Sequence, residues 1–139
     1  MLKTTLTHPV ILKTLASLGH GSLILIADGN FPVGTHANPA SERVYMNLRP
    51  GVVTITEVLD ALLTAIPVEA VHVMRPDDGS EPSIYADFRR VIPGLALQPL
   101  ERFAFYEFTK NTDVGLIIAS GDSRLWANIM LTVGVVAQS

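Results

Sequence analysis

The sequence predicts an α/β fold, a single sheet of mostly parallel strands flanked by helices. Three observations carry that expectation. Leu23–Ala27 is unbroken aliphatic and too short for a helix of its own, so it reads as a strand buried within a sheet, and Val68–Met74 reads as a second buried strand. Strand-like runs alternate along the chain with amphipathic segments that carry helix start and stop signals. No internal repeat, low-complexity segment or linker interrupts the alternation, so residues 1–139 read as one domain.

Taken in order, Thr7-His8-Pro9 opens a helix. Thr7 or His8 can act as N-cap, and Pro9 suits a first turn whose N–H groups lack intrahelical partners. Val10, Ile11, Leu15 and Leu18 form its apolar stripe. Gly19 is placed to stop it in the left-handed conformation. The Leu23–Ala27 strand follows and breaks at Asp28-Gly29-Asn30-Phe31-Pro32, with loop from Gly34 to Ala40. Arg43–Leu48 alternates polar and apolar residues as a half-buried strand does, and Arg49-Pro50-Gly51 is a turn.

Thr54-Ile55-Thr56-Glu57 is a capping box that starts a helix running to about Ile66, where Pro67 ends it. After Val68–Met74, Pro76-Asp77-Asp78-Gly79 turns the chain. A helix is expected from Ser80 to about Val91, then a strand over Leu95–Leu100 and a short helix over Glu101–Thr109. In that helix Phe105 and Phe108 share a face but Phe103 and Phe105 do not. Val114–Ala119 is a strand, Ser120-Gly121-Asp122-Ser123 a turn, and Trp126–Val136 a last strand or strand pair broken near Gly134.

Composition narrows the function. Hydrophobic residues make up 48% of the chain, yet the longest apolar runs fall far short of the roughly 20 residues of a membrane span. The N-terminus carries no apolar leader, so a cytoplasmic protein is expected. The apolar excess is expected to be buried between subunits. Net charge is −3 and the basic residues cluster no further than Arg89-Arg90, which argues against nucleic acid as a partner. The absence of cysteine removes disulfides, thiolate nucleophiles and cysteine-based metal sites. No GxGxxG, GxxxxGK[ST] or GxSxG occurs, and the four histidines have no metal-ligand spacing.

Several residues can carry chemistry. His20 lies between two glycines, where little covers its ring, and an imidazole exchanges protons near neutrality. It also suits a helix C-terminus, where the dipole favours a cation. Asp28 ends an aliphatic strand, the position beyond which open α/β sheets bind ligands, and it equally suits an Asx turn. Arg102 offers a fork of donors for hydroxyls or a carboxylate, or caps its helix. Trp126 and Asn128 share one face of a strand by period two, an apolar ring beside an amide, as a sugar site uses; a lone tryptophan also serves a core.

Gly19-His20-Gly21, then Ile26-Ala27-Asp28-Gly29-Asn30-Phe31-Pro32, Arg102-Phe103-Ala104-Phe105-Tyr106-Glu107, Ser120-Gly121-Asp122 and Trp126-Ala127-Asn128-Ile129 together resemble the L-fucose mutarotase and D-ribose pyranase family. The motifs occur in the family's order across essentially the whole chain, and the segment from Arg102 to Glu107 resembles the fucose mutarotase branch. The resemblance implies a cofactor-independent isomerase without metal, acting on free monosaccharides and assembling into a high-order ring such as a decamer. It implies that His20 is the catalytic acid/base, that Asp28 and Arg102 contact the sugar, and that Trp126 and Asn128 occupy the C-terminal sugar-binding motif, with Tyr106 and Asn30 in support. That motif commonly begins with tyrosine. Trp126 can stack on a sugar but donates only from its indole N–H.

The implied reaction is interconversion of the anomers of L-fucose or a related aldose by ring opening and reclosure. The alternatives are D-ribose pyranase activity, which exchanges pyranose and furanose, and a non-catalytic sugar-binding or transport-associated protein. One geometric constraint is visible already. At roughly 3.3 Å per residue, the eight steps from His20 to Asp28 span about 26 Å if extended, too far for one monosaccharide to touch both. The expectation is a site shared between subunits.

Overall fold

The computed structural model describes residues 1–138. Four helices and six strands follow in the order α1 (Pro9–Ser17), β1 (Leu23–Ala27), β2 (Glu42–Tyr45), α2 (Ile55–Leu63), β3 (Val68–Arg75), α3 (Ile84–Val91), β4 (Leu97–Glu101), α4 (Arg102–Thr109), β5 (Val114–Ala119) and β6 (Ile129–Val133). The strands form one sheet in the order β2-β5-β1-β6-β3-β4. The pairs β1–β5, β2–β5 and β3–β4 are parallel, as the sequence predicts, whereas β6 runs antiparallel to both its neighbours, β1 and β3. β1 and β3 therefore point the same way. Their starts meet the end of β6, and their ends meet its beginning.

The sheet carries one core on each face. Ile24 and Ile26 of β1, Leu116 and Ile118 of β5, and Val71 and Val73 of β3 face α1, α2 and α3. Leu23, Leu25, Ala27, Ile117 and Met130 face the other way, against Phe105 of α4 and the Phe31–Val33 segment. That double burial explains why β1 is continuously aliphatic: all five of its residues are buried.

Local rules set most element ends. His8 caps α1, its Nδ1 accepting from Ile11 N at 3.3 Å. The Thr54–Glu57 capping box is complete. α2 gives way after Leu63 to a looser turn that runs to Ile66. α3 begins at Ile84, later than the sequence suggests, because Ser80 is held by the Asp78 carboxylate and Pro82 disfavours helix in the residue before it. Glu101 both ends β4 and caps α4, its carboxylate accepting from Ala104 N. The left-handed glycine after α1 is Gly21 (φ +84°), not Gly19; α1 stops at Ser17 with an extended Leu18.

Two corrections bear on the site. β2 ends at Tyr45, because the chain beyond Met46 folds onto the 120–122 turn: Gly51 N donates to Gly121 O and Gly121 N to Val53 O, both at 2.7 Å. β6 begins only at Ile129. Trp126 and Asn128 precede it in a loop, and Trp126 has φ +61°, which no strand residue adopts. Such a conformation costs a non-glycine residue about 1–2 kcal/mol and persists because bonds on either side hold it.

Those bonds centre on Asp122, which is 2% exposed. Its carboxylate accepts from the N–H of Ile55 at the start of α2 and from the N–H and guanidinium of Arg124. Arg124 Nη1 also reaches Asp87 of α3 at 2.8 Å. Burial alone would raise the Asp122 pKa; the donors from Arg124 and Ile55 outweigh it and hold the carboxyl below its usual value.

Two outcomes follow from this packing. A Cβ at Gly121 would overlap the Val52 carbonyl oxygen and approach Arg49 O to 2.7 Å, so Gly121→Ala should cost about 3 kcal/mol, measured by urea denaturation. Asp122→Asn should cost about 2 kcal/mol at pH 7. Because the folded pKa lies below the unfolded 3.8, that contribution is present above pH 3.8 and is lost as pH falls further. Denaturation midpoints of wild type and variant should converge in acid.

Candidate active site

At the ends of β1 and β3 lies a cavity of about 350 Å³, lined by Asp28, Asn30, Phe31, Met74, Arg102, Tyr106, Leu125, Trp126 and Asn128. All the residues named from sequence as sugar-binding or supporting are therefore together, on three separate pieces of chain. Asp28 and Asn30 follow β1, Arg102 and Tyr106 lie on α4, and Trp126 and Asn128 sit in the loop before β6.

Asp28 and Asn128 are 4% and 3% exposed and fix one another. Asp28 N donates to Asn128 Oδ1 at 2.8 Å, and Asn128 Nδ2 donates back to Asp28 Oδ2 at 3.2 Å. Ala127 N also donates to Oδ2, and Asn30 N to Oδ1. The Asn30 bond is the Asx turn anticipated from sequence, so the structural and the cavity-lining readings of Asp28 both hold. Three donors leave a carboxylate with room for a further one. Burial is the largest influence on Asp28 and raises its pKa; the N–H groups of Asn30, Ala127 and Phe31 oppose it in part, and the nearby Asp122 charge adds to it. The result is a carboxylate more basic than usual, beside a cavity.

Arg102 is loosely held. Its guanidinium lies 3.5 Å from Asp77 and 4.8 Å above the Phe103 ring, and its Nε is buried without a hydrogen-bond partner among the described residues. A buried donor left open in this way calls for an acceptor. The aromatic wall is better fixed: Tyr106 packs edge-on against Phe31 at 5.5 Å and against Phe103 at 6.3 Å. Tyr85 of α3 supports the opposite side, donating from its hydroxyl to Met74 O at 2.6 Å. Phe105 is wholly buried and belongs to the core, while Phe103 is exposed.

His20 is not in this cavity. It lines a separate cleft of about 410 Å³ at the start of β1, with Leu15, Ile66, Pro67, Val133 and Val136. Its ring is 60% exposed, and it contacts Glu69 rather than a helix end. The five residues of β1 alone hold the two ends about 13 Å apart. His72 lies on the half-buried outer part of the sheet against Phe108, ring centroids 4.9 Å apart, and burial lowers its pKa. Among the described residues no three His, Asp or Glu side chains are grouped to hold a metal ion, and no helix is long and apolar enough to cross a membrane.

Sequence reasoning missed Phe31, Met74 and Leu125 in the cavity, and the Asp122–Arg124–Asp87 network behind it. The apolar residues have no signal apart from their neighbours. The network had one: Asp122 and Arg124 lie four and two residues before Trp126, opposite charges at a spacing where a side chain can grip its own loop.

Known proteins resemble this chain along nearly its whole length. Residues 1–136 match the RbsD / FucU transport protein family. The chain is 30% identical to human fucose mutarotase, over 95% of this chain and 91% of that protein. It is 32% identical to a D-ribose pyranase of Streptomyces coelicolor, over 97% and 98%. The structure of the fucose mutarotase of Streptococcus pneumoniae in complex with L-fucose superposes with a TM-score of 0.80 at 33% identity, covering 94% of each chain. The motifs, the sheet order and a match spanning nearly every residue lead to one assignment: this chain belongs to the RbsD / FucU family.

Proposed function

We propose that this protein is a monosaccharide mutarotase, an isomerase that interconverts the anomers of L-fucose or a related free aldose without a cofactor. The observation that carries the reading is the cavity at the strand ends. It is of the size that takes a small ligand. It sets a carboxylate, an amide and a guanidinium, which suit hydroxyl groups, beside the indole of Trp126 and the ring of Tyr106, which suit the apolar face of a sugar ring. Relatives at 30% and 33% identity carry the fucose mutarotase name, one of them solved with L-fucose. The pyranase relative is about equally similar, so ring-size exchange on D-ribose is the second reading.

The chemistry needs a base and an acid. The anomeric O–H gives its proton to the base, the C1–O5 bond breaks toward O5, and O5 takes up a proton, leaving the open aldehyde. Rotation about C1–C2 and the reverse steps give the other anomer with no net change in bonds. Asp28, Arg102, Asn128 and Trp126 would hold the sugar, with Tyr106 and Asn30 in support, and His20 would exchange the proton. Since β1 separates His20 from the cavity, we infer that His20 of one copy serves the cavity of another, in a homo-oligomer.

Exchange NMR on L-fucose and D-ribose tests the activity. Wild type should speed anomer exchange of L-fucose, and exchange no faster than in buffer for either sugar would overturn the reading. His20→Ala and Asp28→Ala should each lower exchange by about 100-fold or more. Refolded together at equal amounts, the two inactive variants should recover about a quarter of the sites, because such a site draws intact residues from two copies. No recovery would place both residues in one copy's site.

A further inference from the structure

Leu125 and Trp126 line one side of the cavity, and no backbone hydrogen bond holds either of them among the described residues. Trp126 keeps its φ of +61° through what grips the chain on either side. After it, Ala127 N donates to Asp28 Oδ2 at 3.2 Å. Before it, the Arg124 side chain folds back over its own loop: Nε donates to Asp122 Oδ1 at 3.0 Å and Nη2 to Asp122 Oδ2 at 2.7 Å. A guanidinium is planar, so two bonds to one carboxylate fix where its third nitrogen points. That nitrogen, Nη1, donates to Asp87 Oδ2 of α3 at 2.8 Å. The other oxygen of Asp87 accepts from Arg90 Nη2 at 2.7 Å. Helix α3 thus reaches the cavity twice, through Tyr85 on Met74 O and through Asp87 on the Trp126 loop.

We propose that Asp87 is a positioning residue for the Trp126 wall of the cavity, setting through Arg124 where the indole stands against a bound sugar; this rests on the reading of the cavity as a sugar site. The Asp122–Arg124 grip joins residues two apart, so it shapes the loop from within. Ile55 N ties the base of that loop to α2. Among the described residues, only Asp87 ties the Arg124 side of it to a neighbouring element, a helix whose Ile84 and Phe88 are wholly buried. Asp87 and Arg124 are 33% and 34% exposed, so water screens the pair and its part in stability is small. Position is the larger effect. A ring that withdraws about 0.5–1 Å from a sugar's apolar face forfeits about a quarter to a half of its dispersion contact. Weaker stacking lowers affinity for the bound sugar and its transition state alike, so it raises KM and spares kcat.

The test uses the full-length chain. Trp126 is its single tryptophan, so fluorescence emission and anisotropy report this loop alone. Asp87→Ala should lower the anisotropy and move the emission to longer wavelength, as the indole loosens into water. The concentration dependence of L-fucose exchange in that variant should give KM raised about three- to tenfold, with kcat within about twofold of wild type. Asp87→Glu keeps the carboxylate and should recover most of both readouts. Arg90→Ala removes the other partner of Asp87 and should match wild type in both. Urea midpoints establish that each variant is folded, and Asp87→Asn, which loses the charge, takes the place of an alanine variant that does not fold. Unchanged emission and anisotropy on loss of the Asp87 charge overturn the proposal whatever the turnover. An unchanged KM, or a loss confined to kcat, also overturns it and leaves the mutarotase reading standing. Exchange by wild type no faster than in buffer for either L-fucose or D-ribose removes that reading, and the proposal with it.

Discussion

The antiparallel placement of β6 between β1 and β3 is the constraint on which the rest depends. With β1 and β3 parallel and β6 reversed between them, one end of the sheet gathers two strand starts and a strand end. The other end gathers two strand ends and a strand start. His20 and Glu69 belong to the first, Asp28, Met74 and Asn128 to the second. A parallel strand in the same slot would put Asn128 at the end with His20 and dissolve the cavity. The reversal is affordable in the interior because Ile129, Leu131 and Val133 meet the same helix-covered core as Ile24 and Ile26.

At the cavity end, order comes from buried polar bonds rather than apolar packing alone. Asp28 and Asn128 exchange bonds in both directions, and Asp122 ties the same loop to α2 and, through Arg124, to α3. Each bond is worth only about a kilocalorie net, but a buried carboxylate left without donors costs more than that. The loop is therefore held in place chiefly by what its loss would expose. That accounts for a tryptophan resting at φ +61°. It also places Asp28 in two settings at once: it orients Asn128, and its carboxylate has room to accept from one more donor at the cavity.

Much of this was legible in the chain. β1, β5, the Thr54 capping box and the helix-strand alternation follow from rules that act within a few residues, and there the sequence reading and the structure agree. The residues gathered around the cavity came from ordered motifs whose members are far apart, so the resemblance placed them together where spacing alone could not. What was not legible has one cause. The reversed direction of β6, the early turn after Tyr45, the loop before Ile129 and the bulge at Glu69 are settled by tertiary bonds. Residues 126–133 carry a strand-like composition throughout, and nothing local marks where pairing with β1 and β3 begins. Likewise Gly19 and Gly21 are equivalent by composition. Only the bonds from the 21–22 segment to Val133 decide which one turns the chain.

Both ends of the sheet share a further property. Leu125 at the cavity rim and Phe103 beside Arg102 are more than half exposed, and so are Val135 and Val136 beyond β6 at the His20 cleft. Apolar surface next to unspent polar groups is what an interface between copies covers. In the proposed assembly, covering it would do more than bury area. Drawing the His20 end of one copy over the cavity of another would exclude water from a sugar beside Asp28 and Arg102 while a proton passes to His20 and back. A short strand cannot be shortened further to bring its two ends together within one chain. The proposed assembly would remove that limit at no cost to the sheet, and the rigid β1 would become the spacer that sets each end at its own interface.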